Sequence, residues 1–252
     1  MMARYIDLNA DIGELEGEEG RASDDAILSA VTSCNIACGG HAGDEVSMRE
    51  TIRLACLHGV KIGAHPSYPD REGFGRRSLG IDAHSLKESL SAQIGRLMQI
   101  AGEMGAHIDH VKPHGALYNE AAKDGDLAKL IVDIVVAKGI PVLFGPSNSE
   151  LQFASETAGL RFIAEGFVDR AYERDGSLTP RTEQGAVLED ASRQIAQAKS
   201  LAAGKVRSRT GSMIDLPAQT LCLHGDTANA RLTAGRIRSE LEALGFEIGI
   251  EP

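Results

Sequence analysis

The stretch Ile6-Asp-Leu-Asn-Ala-Asp-Ile-Gly-Glu14 decides the fold. Successive side chains of a β-strand point to opposite faces, so Asp7, Asn9 and Asp11 share one face. Three polar groups turned toward the interior of a barrel are costly unless they are paired or used. The segment therefore reads as a strand that delivers carboxylates to a site at its end.

Four more segments repeat this design, each with a histidine where the chain leaves an apolar run. They are Asn35-Ile-Ala-Cys-Gly-Gly-His-Ala-Gly-Asp44, Ile62-Gly-Ala-His-Pro-Ser-Tyr68, Val111-Lys-Pro-His-Gly-Ala-Leu-Tyr118 and Leu221-Cys-Leu-His-Gly-Asp226. Short apolar runs bounded by turn residues predict strands at 5–8, 33–38, 60–64, 108–112, 141–144, 161–164 and 220–223, with a terminal piece at 246–250. Helical spacing links Leu90, Ile94, Leu97, Met98 and Ala101, and again Ala230, Ala234, Ile237, Leu241 and Leu244. Ser85 with Glu88 reads as a capping box for the first of these helices. Asp44 reads as the N-cap of a helix over 45–57, and Asp226 as the N-cap of the last helix.

Strand–helix alternation on this scale implies parallel strands with helices outside, closed as a single (β/α) barrel domain over 1–252. In such barrels the chemistry sits at the C-terminal ends of the strands. The polar, glycine-punctuated stretch 165–185 is a candidate lid or substrate loop. Residues 206–216, turning at Gly211, look like an inserted hairpin.

Bulk properties narrow the function. The 252 residues are 42% hydrophobic and carry a formal net charge of −10, ample for a core. No basic stripe interleaves with aromatics, which argues against nucleic acid. No apolar run approaches a membrane span, and the N-terminus has no signal-peptide h-region, so a cytoplasmic location is expected. Cys34, Cys38, Cys56 and Cys222 have no zinc-knuckle spacing and read as free thiols, mostly buried. There is no Gly-x-x-x-x-Gly-Lys-Ser/Thr string and no Gly-x-Ser-x-Gly elbow, so neither a P-loop nor an acyl-serine mechanism is expected.

Joint motifs carry a family resemblance over essentially the whole chain. They are Asp7-Leu-Asn-Ala-Asp-Ile-Gly-Glu14, the 35–44 and 63–70 segments, and Gly73-Phe-Gly-Arg-Arg77. Lys112-Pro-His-Gly-Ala-Leu-Tyr-Asn119, Glu165-Gly-Phe-Val-Asp-Arg-Ala-Tyr172 and His224-Gly-Asp226 complete the series. Together they resemble the LamB/YcsF family. The resemblance implies a distorted seven-stranded barrel related to carbohydrate deacetylases. It also implies a part in opening 5-oxo-L-proline to L-glutamate with ATP as co-substrate, alongside B and C subunits. The related deacetylases carry two successive acids after the first strand, one of them a metal ligand. Here Ile12 follows Asp11, yet Asp11, His65 and His114 remain a candidate set for a divalent metal.

Residue chemistry assigns the roles. Asp7, Asp11, His65 and His114 are the candidate acids, bases or ligands, since imidazole passes protons or binds metal near neutral pH. Asn9, His41, Lys112, Arg76, Asp169 and Arg170 are the candidates for holding substrate, the cations suiting a carboxylate or phosphate. Each has a plainer reading: Asp11 as a turn cap, Asp7 as an ion-pair partner, the histidines as hydrogen-bonded structural groups, and Asp169 and Arg170 as organisers of the long loop. Two other functions stay open at this point, a metal-dependent amidase or carbohydrate deacetylase and a non-catalytic substrate-binding subunit. A homo-oligomer is equally open.

Overall fold

The computed structural model describes residues 3–15, 17–224 and 230–251. In chain order its strands are β1 (Arg4–Ile12), β2 (Ser33–Ala37), β3 (Lys61–His65), β4 (His110–Val111), β5 (Val142–Pro146), β6 (Arg161–Phe167), β7 (Lys205–Arg207), β8 (Met213–Asp215), β9 (Thr220–His224) and β10 (Phe246–Ile248). The helices are α1 (Gly17–Leu28), α2 (Glu45–His58), α3 (Ala83–Glu103), α4 (Gly115–Ala121), α5 (Gly125–Ala137), α6 (Glu150–Thr157), α7 (Ala191–Ala202) and α8 (Ala230–Ala243). Strands β1 to β6 pair in sequence and in parallel, and β9 pairs with both β6 and β1. That double pairing closes a seven-stranded barrel of the expected kind. β10 adds to β1 outside the closure, and β7 with β8 forms the expected antiparallel hairpin.

β1 runs four residues beyond its expected end, because the polar residues after Leu8 find partners inside the barrel. Its outward side chains, Ile6, Leu8, Ala10 and Ile12, are at most 1% exposed and pack with Ile52, Leu90, Ile94, Leu97 and Ile237 of the surrounding helices. The hydrocarbon core thus lies between barrel and helices, where each helix's apolar stripe meets the sheet.

The barrel interior is polar and layered. At the bottom Asp7 accepts from Thr32 Oγ1 at 2.7 Å, Ser33 Oγ at 2.9 Å and Thr220 Oγ1 at 2.5 Å. Above it Asn9 donates to Glu165 Oε1 and Thr220 Oγ1 and accepts from Asn35 Nδ2 and Lys112 Nζ. His110 donates from Nε2 to Asn35 Oδ1 at 2.8 Å and stacks on Phe144. Glycine is required opposite this ring, since a Cβ on Gly63 would lie 2.1 Å from His110 Nε2.

Local signals behave as expected for α2: Asp44 and Ser47 form a reciprocal capping box. For α3 the Ser85–Glu88 reading is corrected. The cap is Asp82, whose carboxylate accepts from the His84 and Ser85 N–H groups and from the Ser85 hydroxyl. A carboxylate one residue before the first turn reaches those amides better than a serine inside it. Leu244 falls past the end of α8 and is 47% exposed, whereas Ala234, Ile237 and Leu241 are buried. His224 ends β9, but its side chain and Asp226 lie outside the described residues. Cys34, Cys38 and Cys222 are buried free thiols and Cys56 is exposed. No helix among the described residues is long and apolar enough to cross a membrane.

Candidate active site

The C-terminal ends of β1, β3, β4 and β6 meet in a cavity of about 570 Å³. Its wall includes Asp11, Glu14, His65, Lys112, His114 and Glu165, and the long loop supplies Arg170 and residues 176–182. The loop after β6 is thus a wall of the site. Arg170 is buried and fastens that loop, donating to the Thr179 carbonyl at 2.6 Å and the Ala186 carbonyl at 3.3 Å. Burial lowers its pKa to about 10, which leaves it charged at neutral pH.

Lys112 is the electrostatic centre. Its ammonium lies 2.9 Å from Asp11 Oδ1, 2.8 Å from Glu165 Oε1 and 3.1 Å from Cys222 Sγ. Burial opposes its charge, yet Asp11 and the neighbouring Glu165 outweigh burial and hold its pKa well above the usual value. Asp11 also accepts from Asn35 Nδ2 at 2.8 Å, and its second oxygen lies 3.4 Å from His65 Nε2.

Beside this pair three imidazoles gather. His41 stacks on His114 with centroids 3.7 Å apart, and His65 stands edge-on to both. The His65 Nδ1–H donates to the Lys112 carbonyl at 2.7 Å, and the His114 Nε2–H donates to the Phe74 carbonyl at 3.0 Å. A carbonyl can only accept, so these bonds fix both tautomers. Burial holds the pKa of His41 down to about 2 and that of His114 well below the ordinary value, with the neighbouring His65 adding to both.

The loop that receives the His114 proton is built for it. Asp70 accepts from the Gly73 N–H at 2.9 Å and from Arg77 Nε at 3.0 Å. Phe74 is held at φ 54°, an uncommon conformation for a residue with a Cβ, and its ring packs edge-on against His41 and His114. Arg76 lies over the Phe74 ring and lines the cavity.

Ligand atoms of Glu14, His41, His65 and His114 lie within 4.8 Å of one another. This differs from the expected Asp11–His65–His114 set. Lys112 and Asn35 engage Asp11, while Gly13, at φ 72°, turns the chain so that Glu14 reaches His41 at 3.0 Å and His114 at 3.4 Å. Three imidazole nitrogens and a carboxylate fit zinc or a similar divalent ion, and the two fixed tautomers leave nitrogens free to ligate. Glu14, Glu165 and Tyr118 also line the cavity, and the sequence assigns none of them a role. The signal available for Glu165 is its place at the end of an apolar run, the position the histidines occupy.

Among the expected site residues, the structure brings together Asp11, His41, His65, Lys112 and His114, with Arg76 and Arg170 on the wall. Asn9 sits one layer below, bonded to Lys112 and Glu165. Asp7 is deeper still, and burial raises its pKa even though three hydroxyls oppose the shift. Asp169 is buried at the root of the long loop, its carbonyl accepting from the Leu188 N–H.

The sequence profile of the LamB/YcsF family matches residues 6–250. The chain belongs to the LamB/YcsF family. A Methylococcus capsulatus relative, named as the A subunit of 5-oxoprolinase, is 47% identical over 249 residues, which cover 98% of this chain and 96% of the relative. The crystal structure of a lactam utilization protein from Thermus thermophilus superposes with a TM-score of 0.87 at 36% identity, covering 98% of this chain and 100% of that one. A deacetylase, T48, solved with its substrate, shares the fold alone, with a TM-score of 0.51 at 13% identity over 98% of this chain and 88% of that one. LamB/YcsF membership thus coincides with a deacetylase-type barrel.

Proposed function

We propose that this chain is the A subunit of an ATP-dependent 5-oxoprolinase, a cytoplasmic enzyme that opens 5-oxo-L-proline to L-glutamate with B and C subunits. The observation that carries the reading is near-full-length similarity to relatives named as the A subunit of 5-oxoprolinase, joined to a histidine–carboxylate–lysine site in one cavity.

A lactam resists hydrolysis because its carbonyl is deactivated by the ring nitrogen. Phosphorylation of the carbonyl oxygen by ATP converts that oxygen into a leaving group. One water then adds to the ring carbon and the C–N bond breaks, giving an acyl phosphate that a second water hydrolyses. Asp11 and His65, 3.4 Å apart, take the proton from the attacking water, and His114 delivers one to the departing nitrogen. Lys112 neutralises developing negative charge. Arg76 and Arg170 on the wall suit the substrate carboxylate or a phosphate. In the absence of a P-loop, ATP is held differently or by a partner subunit.

A second reading, a metal-dependent amidase, is favoured by the Glu14–His41–His65–His114 group. Those four residues would hold the ion, which supplies carbonyl polarisation and an activated water.

The deciding experiment measures 5-oxoproline-dependent ATP hydrolysis and glutamate release with and without the B and C subunits. The expected result is little turnover by this chain alone and coupled turnover on assembly. Robust coupled turnover by the chain alone, or none on assembly, refutes the proposal. ATP-independent amide hydrolysis together with stoichiometric metal supports the second reading.

A further inference from the structure

Two buried polar atoms on the cavity wall lack any hydrogen-bond partner, Tyr118 Oη and Glu165 Oε2. Tyr118 is 4% exposed and Glu165 is 2% exposed. Buried polar atoms are almost always satisfied, so an orphaned pair facing one cavity points to a ligand that completes it. The carboxylate is fixed in place, because its other oxygen is held by Lys112 at 2.8 Å and Asn9 Nδ2 at 2.9 Å. Tyr118 is fixed too, its ring edge-on to Phe167 at 5.7 Å. The phenol adjoins Glu165, and burial together with that carboxylate raises its pKa well above the usual value. It therefore offers a proton, while Glu165 Oε2 offers a lone pair.

We propose that Tyr118 and Glu165 form a two-point subsite for the edge of a cis amide. Tyr118 Oη donates to the ring carbonyl oxygen and Glu165 Oε2 accepts from the ring N–H. A small ring forces these two groups onto the same side of the amide bond. A linear secondary amide is trans and turns them to opposite sides. The pair thus selects lactams over peptides, and it keeps Glu165 beside the nitrogen that becomes the product amine. The inference rests on the lactam reading above and deepens it.

The test uses the assembled enzyme, wild type and Tyr118→Phe, with 5-oxo-L-proline as substrate and 2-pyrrolidone and N-methyl-2-pyrrolidone as competitors. Tyr118→Phe is expected to raise KM by about tenfold or more, with a smaller change in kcat, since it leaves a substrate acceptor unpaired. The melting temperature is expected to hold, because the phenol oxygen has no protein partner to lose. In wild type, 2-pyrrolidone competes and its N-methyl derivative does not. An unchanged KM in Tyr118→Phe, or equal competition by the two pyrrolidones, overturns the subsite while the lactam reading stands. A wild-type complex that neither binds nor turns over 5-oxoproline overturns both.

Discussion

His65 Nε2 and His114 Nδ1 face each other at 2.9 Å with both ring protons directed away, toward the carbonyls of Lys112 and Phe74. In neutral rings this sets two lone pairs end to end, a repulsive contact that a proton or a cation between them converts into a favourable one. Glu14, 3.4 Å from His114 and 3.8 Å from His65, supplies the negative charge that either occupant needs. The contact is therefore where the site handles protons or metal.

Replacing His65 or His114 with alanine should lower turnover of the assembled enzyme by at least about a hundredfold, the lower end of general acid–base contributions. Folding should survive, because each ring bonds only to a backbone carbonyl and to the opposed imidazole. Removing one ring also relieves the lone-pair contact. Steady-state kinetics and a melting curve on each variant check this, and near-wild-type turnover would return that histidine to a purely structural role.

Asp11→Asn should depress kcat far more than it raises KM, because asparagine neither takes a proton nor carries charge. It also leaves Lys112 with Glu165 as its remaining anionic partner. A stability loss of about 1–3 kcal/mol should accompany the kinetic defect. A turn cap would tolerate asparagine almost without cost. Unchanged kinetics with unchanged urea midpoint would remove Asp11 from the site.

Asp24 provides a pH handle beneath the site. It accepts from the Gly13 N–H at 3.0 Å, and burial lifts its pKa from 3.8 to about 6. The folded state thus holds this proton more tightly than the unfolded chain. The associated stability is complete below about pH 4 and is lost as pH rises through about 6, amounting to up to about 3 kcal/mol. Asp24→Asn keeps the acceptor and abolishes the titration. Urea midpoints measured from about pH 4 to 7 should show wild type falling relative to the variant, and parallel curves would rule the effect out.

Gly63→Ala should destabilise the fold by about 1–3 kcal/mol or more, the usual range for overpacking. The added methyl would meet the His110 ring, which cannot swing away while it is stacked on Phe144 and bonded to Asn35. A thermal midpoint within a degree of wild type would show that the ring has another place to go.

The barrel is legible in the sequence because its strands are short apolar runs with turn residues at both ends, and because each histidine marks such an end. β1 reads too short, since Asn9 and Asp11 look wrong for a strand until their partners across the barrel are known. The Asp82 cap is easily passed over because Ser85 and Glu88 fit a familiar spacing. Asp11, His41, His65, Lys112 and His114 are legible as site residues from local chemistry. Glu14, Glu165 and Tyr118 are not, because their meaning lies in contacts with segments remote in the chain. Glu14 meets His41 across 27 residues and Glu165 meets Asn9 across 156.

Asn9 places one amide at the junction of four other segments: it donates toward β6 and β9 and accepts from β2 and from the lysine that follows β4. An apolar barrel centre tolerates substitution one residue at a time, since any side chain of similar volume fills the space. Here a lone change at position 9 strands several donors and acceptors together, and no single second change satisfies them all. Sequence drift inside this barrel should therefore occur in concerted sets. A library randomising positions 9, 35, 112 and 165 jointly should yield functional combinations that stepwise mutagenesis never reaches.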